Sequence, residues 1–517
     1  MKKEKLLTKI GSICVILMVI VLPLLGVNSL TEAASTPKPG GVLKIGVEYD
    51  AHVLGYPPKM HKITCGFFAT TAIETLIRST KKGPLPGLAT SWKIGPDFKY
   101  IELTLRKGVK FHDGTDFNAE ACKWNLDQFR NAGRSELASV KSVDAIDNFT
   151  VRLNLSTPDN MVITHLADWP GFMISPTAFK KNGEDWCITN PVGTGPFKLK
   201  SWQRDVSMKF ERFDGYWEKG KPYLDGVEWL KIADPMVRLA SFKAGEVDVI
   251  TGVTPKDAKD LKASGKYNIS ANYAGFIGLA FDARSPNTIF ADVRLRKAVA
   301  YAIDTKAIIE ALGYGYREFI NQVAPPTAWG YNSKIVGYPY NPEKAKALLA
   351  EAGYPKGFNT KIISPPTPDT IDQYSLVQAQ LASVGINAEI EKVDWGRIDK
   401  FVVGGTWPNN LVWFVMDFAL QDDLRTINLL SSKSPLWTQI LHPEKVDNIA
   451  AQAASTSDLE TKKGLVQEAM RMIVDEYCTV LCLGINLNPI ARYPRVHDDG
   501  LYEVAPARHR LEDAWLE

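Results

Sequence analysis

Residues 191–199 read PVGTGPFKL, a Gly-Thr-Gly that could cradle a phosphate if its backbone N–H groups converged on an anion at a helix start. The flanking residues argue against this. Pro196 removes an N–H directly after Gly195, FKLKSW then alternates as a strand does, and no Gly-Lys-Ser/Thr closes the run. The glycines are expected instead to supply unusual φ angles in a sharp turn before a strand. Ser79 and Lys82 satisfy Ser-x-x-Lys, but the partner motifs of acylating enzymes are missing, so STKK is expected to be a polar loop. The seven histidines are scattered, without His-Glu-x-x-His, and no Gly-x-Ser-x-Gly elbow occurs. Cys478 and Cys482 lie in EYCTVLCLGINL, which has strand character. Four residues along a strand span roughly 13 Å, beyond the reach of a disulfide. Their spacing also fails zinc patterns, and buried structural thiols are expected. Asp422-Asp423 and Asp498-Asp499 read as solvated charges rather than metal ligands. No catalytic residue, metal site or cofactor is expected.

Binding is what remains, and the surrounding elements must position it. A chain of 517 residues suggests two or three domains, each able to bury a core. VLKIGVEY has the character of a first strand. ATSWKI and KYIELTLRKGVKF give two extended pieces ending at His112-Asp113-Gly114, a turn signal. Asn118 then caps a helix with Ala119, Cys122, Leu126 and Phe129 on one face. In YNPEKAKALLAEAGYP, Asn341 is the cap, Pro342 the first helical residue and Gly353 the stop. FNTKIIS, TIDQYSLVQAQLASVG and INAEIEKV then read as strand, helix and strand, a parallel pairing with a right-handed crossover. Two α/β lobes without a fixed-period repeat are the economical expectation.

The first residues differ from the rest. MKKEKLLTK is basic, IGSICVILMVIVLPLLGV apolar and NSLTEAAS polar with small residues, the order of an export signal cleaved after Ala33. An uncleaved membrane anchor is the rival. Removing residues 1–33 takes away four lysines and two glutamates, lowering the formal charge from +3 to +1 and leaving five cysteines. Near neutrality, with no basic cluster, excludes a nucleic-acid binder.

Five segments in order carry a resemblance. They are LRKGVKFHDGTDFNAEACKWNLDQF (105–129), PVGTGPFKL, ERFDGYWEKGKPYLDGVEW (211–229), FADVRLRKAVAYAID (290–304) and YNPEKAKALLAEAGYPKGF (340–358). Together they resemble the peptide and nickel class, family 5, of extracytoplasmic solute-binding proteins of ABC transporters, from about residue 40 to near the C-terminus. The resemblance implies an α/β, two-lobed periplasmic-binding-protein (Venus-flytrap) fold of the large class, with an extra subdomain in the first lobe at about 85–200. It places lobe I at 34–276, lobe II at 277–477 and a return to lobe I at 478–517. Hinge crossings are expected near 275–283 and 476–486. A ligand touching both lobes would stabilise their closed arrangement, which a permease can distinguish from the empty one.

The family's peptide binders hold the ligand's α-amino group with an aspartate in Trp-x-x-Asp-Tyr. In VWFVMDFALQDD, Asp417 takes that place, Phe418 the aromatic after it and Phe414 the tryptophan position, with Trp413 one residue earlier. The Asp-Pro that commonly follows is absent. An ammonium group arriving there gains an ion pair and ring faces. Trp395, in KVDWGRI, falls where the family carries an aromatic near the pocket. The loop after the first strand offers Tyr49, Asp50, Tyr56 and Phe68. Dipeptide binders have an arginine for the carboxylate just before the helix near Thr370. Here Ser364 stands there and PPTPDT has no basic residue, which weakens a dipeptide reading.

The expected function is thus capture of a peptide or similar small amphipathic or cationic solute, delivered to ABC permease subunits by a periplasmic or extracytoplasmic monomer. A ligand-presenting receptor for chemotaxis or sensing shares the pocket and differs in partner. A secreted hydrolase would release its cargo cut.

Overall fold

The β-branched and aromatic runs of the sequence become one large mixed sheet, shown by a computed structural model that describes residues 36–517 except 61–62, 81–82, 418–422 and 503–508. Among these residues the sheet has β1 (Val42–Val47), β2 (Phe197–Gln203), β3 (Ser207–Arg212), β4 (Gly226–Lys231), β5 (Val249–Ile250) and β6 (Asn268–Phe281). It continues with β7 (Arg317–Glu318), β8 (Asn359–Ser364), β9 (Asn387–Lys392), β10 (Leu411–Asp417) and β11 (Val480–Arg492). Their order is β9-β8-β10-β6-β11-β5-β1-β4-β3-β2, with β7 against β11.

Two long strands join its halves. β6 and β11 pair antiparallel from Asn268↔Arg492 to Ala280↔Val480, with register breaks between Tyr273 and Gly275 and between Ile277 and Gly278. One end of β11 pairs with β5, while the far end of β6 pairs with β10. In the first half β1 is parallel to β4 and β5. In the second, β8 is parallel to β9 and β10, with the helix Pro368–Ala382 as the crossover between β8 and β9. Each half has its own apolar core, around Phe67, Trp229 and Val249 in one and around Phe276, Phe414 and Leu424 in the other. A separate antiparallel sheet of Ala89–Ile94, Tyr100–Leu105, Thr150–Leu155 and Val140–Asp147 packs with the helix Ala119–Asn131 around a further core. Asn118 caps that helix by accepting from Ala121 N, and Asn341 caps Pro342–Glu351 in the same way.

Buried charge fastens the pieces. Arg296, in FADVRLRKAVAYAID, is 1% exposed and donates to the carbonyls of Phe290, Ala291, Tyr477 and Cys478, tying the helix Val293–Tyr301 to the chain entering β11. In the first half, Arg238 does the same with the carbonyls of Ile232, Ala233, Thr251 and Gly252. Fixed carbonyl dipoles replace the water each guanidinium gives up.

PVGTGPFKL is a turn into β2, but its glycines serve a different purpose from the one expected. Neither Gly193 nor Gly195 has a positive φ. A Cβ on Gly193 would stand 2.2 Å from Ala72 O, and one on Gly195 2.7 Å from Ala72 C, so close backbone approach excludes a side chain. Gly195 N donates to Ala72 O at 3.0 Å, and Thr194 Oγ1 donates to Glu74 Oε2 at 2.8 Å. Glu74 also accepts from Tyr216 OH and Trp217 Nε1, and Arg78 lies 3.3 Å from it. Burial pushes the Glu74 carboxyl up, and the Arg78 charge opposes this. One carboxylate thus joins GTGPF to the DGYW segment. EYCTVLCLGINL also differs from expectation: β11 begins at Val480, and Cys478 lies before it with φ +45°. All five described cysteines are free and buried.

His112 lies against the same loop, its backbone N–H donating to Gly193 O at 2.9 Å and its ring Nε2 3.0 Å from Gly195 O. Burial pushes its pKa down to about 4. The unfolded chain therefore binds a proton between pH 6.5 and 4 that the folded chain refuses, and stability falls as pH drops through that window. A loss on the order of 3 kcal/mol is expected from this group, and His112→Gln should flatten the pH dependence of urea midpoints between 6.5 and 4. Gly193→Ala should lower stability by about 1–3 kcal/mol at neutral pH through overpacking, read from the same urea curves.

Candidate ligand cleft

In open α/β sheets the crevice beyond the carboxyl ends of parallel strands is where ligands sit. In the second half these ends are Ser364, Lys392 and Asp417. After β9, Asp394 caps the helix Trp395–Val402 by accepting from Arg397 N, which places Trp395 at the first helical position. Trp395 is 51% exposed, and its ring meets that of Trp413 edge-on, centroids 5.5 Å apart at 78°. Trp413 is half-buried on β10, so the pair forms an aromatic ledge linking β10 to the helix that follows β9, with β8 between the two strands in the sheet.

Strand alternation separates residues that stand side by side in sequence. Phe414 is fully buried and packs on Trp437, centroids 4.8 Å apart. It is a core residue rather than a wall of the cleft. Asp417 ends β10 with its backbone opposite Gly275, beside the first register break of the crossing strands. Its side chain, and Phe418, lie outside the described residues.

Across the sheet, β1 delivers the loop 48–56. Glu48 accepts from Thr251 Oγ1 at 2.9 Å, and Tyr49 OH meets Tyr502 OH at 2.7 Å while its ring lies edge-on to Phe67 and Phe68. Asp50 accepts from Trp202 Nε1 at 3.1 Å and from the backbone N–H of Asp205 at 2.8 Å, fastening the loop to the β2–β3 turn. Tyr56 is 5% exposed, stacks on Phe179 and donates to Gln128 Oε1; burial pushes its hydroxyl up to about 12. Phe68 is fully buried in the first core. Of the four residues suggested after β1, Tyr56 and Phe68, the latter in the helix Ile63–Ala69, face protein, and Asp50 is committed to holding the shape of the loop 48–56.

Two features escaped the sequence. Arg317, from the two-residue β7, brings its guanidinium to Asp369 in the first turn of Pro368–Ala382. A cation therefore reaches the helix end where PPTPDT supplies none. The Arg317 side chain is almost fully enclosed, and nothing in its local pattern signals the placement. In the first half, Met236 and Val237, 80% and 55% exposed, begin the helix Pro235–Lys243 that follows β4 and offer apolar surface there. A pocket of about 460 Å³ between Tyr301, Tyr338, Lys344 and Asp475 shares none of the suggested ligand residues. Among the described residues no cluster of three or more His, Cys, Asp or Glu could hold a metal ion, and no helix is long and apolar enough to cross a membrane.

The arrangement offers surfaces and donors for holding a solute, with no nucleophile–base pair among the suggested residues. Known proteins resemble the chain in sequence and in fold. Over 405 residues the chain is 31% identical to the glutathione-binding protein GsiB of Shigella flexneri, spanning 75% of this chain and 78% of that one. The fold matches that of the ABC transporter-associated periplasmic binding protein DppA of Helicobacter pylori in complex with peptide STSA, with TM-score 0.80, 23% identity, and 93% and 99% of the two chains covered. It also matches NikA of Brucella suis in complex with Fe(III)-EDTA, with TM-score 0.81, 23% identity, and 92% and 100% covered. These likenesses establish the two-lobed periplasmic-binding fold, and the relatives are binding proteins rather than enzymes. Residues 83–434 match the family described as bacterial extracellular solute-binding proteins, family 5 Middle, and the chain belongs to that family.

Proposed function

We propose that this protein captures a small amino-acid-derived solute, such as a short peptide, between its lobes and delivers it unchanged to an ABC permease. The lobes are taken as 34–276 with 478–517, and 277–477, with the additional subdomain at about 85–200. The observation that carries the reading is the contact of Trp395 with Trp413, the latter on the strand that ends at Asp417. A partly exposed indole pair costs solvation unless something flat or apolar covers it, and aromatic faces suit an ammonium group. Two of the compounds named with the similar proteins, glutathione and the peptide STSA, are short peptides, and the third, Fe(III)-EDTA, is an aminopolycarboxylate chelate. Tyr49 contributes from the opposite lobe in this proposal. Export by the N-terminal leader and action as a monomer complete the reading.

Mass spectrometry of the solute released by mild denaturation should find an intact amino-acid derivative bound one to one. A cleaved product, or a neutral sugar, would reject the proposal. For an ammonium-bearing solute so identified, Asp417→Asn should weaken binding by about 1–3 kcal/mol in calorimetry, and unchanged affinity would remove Asp417 from the site. Trp395→Ala should cost on the order of 1 kcal/mol by the same measurement, with little change in thermal stability because half of the ring is already in solvent.

A further inference from the structure

The segment 159–168 belongs to the small antiparallel subdomain yet reaches the other half of the molecule. The subdomain is built into the first lobe: Trp169 packs against both the subdomain core and the first-lobe core, and Phe172 lies inside the latter. Asn160, however, meets the helix Glu444–Ser455 of the second lobe. Its backbone N–H donates to Ala454 O at 2.9 Å, and its Nδ2 donates to Ala453 O and Thr456 O, each at 2.8 Å. These are carbonyls that a helix C-terminus leaves without intrahelical partners. Met161, 3% exposed, enters the second-lobe core; among the described residues of that core it alone precedes residue 268. At the end of the segment, Asp168 lies 3.1 Å from Arg425 Nη1 in the helix Asp423–Leu429, with side chains 10% and 17% exposed. The turn is set in advance: Asp159 accepts from Ser139 Oγ at 2.7 Å and from Met161 N at 2.9 Å.

We propose that this segment is a clasp, a set of protein–protein contacts that holds the two lobes together independently of the captured solute. The contacts are directional, partly buried and made entirely between side chains and backbone of the chain, so they hold the arrangement described here whatever lies in the cleft, and in the proposal that arrangement is the closed one. A solute then need supply only the remaining part of the closing free energy, because a two-state equilibrium shifts by differential contacts alone. The proposal goes beyond the reading of the ligand and does not depend on its identity.

The test uses the full chain freed of bound solute by unfolding and refolding, with spin labels at K141C and K445C and pulsed electron–electron distance measurement. Without added solute, the parent chain should show a short-distance closed population. Arg425→Gln and Asn160→Ala should each reduce its ratio to the open population roughly tenfold, the scale of one charge-assisted hydrogen bond for Arg425 and of two neutral ones for Asn160. The double charge exchange D168R/R425D should recover part of what R425Q loses. Asn160→Ala leaves the Asp168–Arg425 pair intact and carries the test if R425Q does not fold. An absent closed population in the parent, or a distance distribution unaltered by N160A, would overturn the clasp.

Discussion

The pairing of β6 with β11 is the constraint on which the rest of the molecule depends. Both strands continue from one half of the sheet into the other, so each half's register is fixed to its partner's through the same ladder. The ladder is interrupted near its middle by two bulges, which bend and twist the strands where the halves meet. At the second break, a Cβ on Gly278 would stand 2.0 Å from Leu481 O, so backbone packs directly on backbone there. A continuous hydrogen-bonded strand pair with a local irregularity can flex without parting, as a hinge requires.

Around this axis the protein uses buried charge as scaffold rather than as chemistry. Arg238 and Arg296 occupy comparable roles in the two halves, each surrounded by backbone carbonyls from loops that would otherwise lack partners. Glu74 gathers donors from two separate segments, GTGPF and DGYW. Several of the segments that carry the family resemblance thus hold loops in place.

Much of this architecture was legible in the sequence because it rests on local physics. The Asn118 and Asn341 caps, the strand–helix–strand unit of β8 and β9, and the strand after GTGPF follow from short-range capping and alternation. Where sequence reasoning went astray, the cause was nonlocal. The glycines of GTGPF yield to Ala72, more than a hundred residues earlier, rather than to their own φ angles. Trp413 and Phe414 are indistinguishable as letters, and only the side of β10 facing the core decides that one is half-exposed and the other enclosed. Asp50 looked like a ligand contact because a loop carboxylate has no partner until the β2–β3 turn folds over it. Arg317 was invisible since a two-residue strand carries no periodicity.

The five enclosed thiols bear on the chemistry of a protein in an extracellular family. Burial pushes Cys187 and Cys478 up to about 11, and Cys122 and Cys482 are raised as well. A thiol kept in its protonated form and shielded from solvent is a poor nucleophile toward peroxides and disulfides. The five described thiols are therefore shielded from an oxidising milieu in the folded chain.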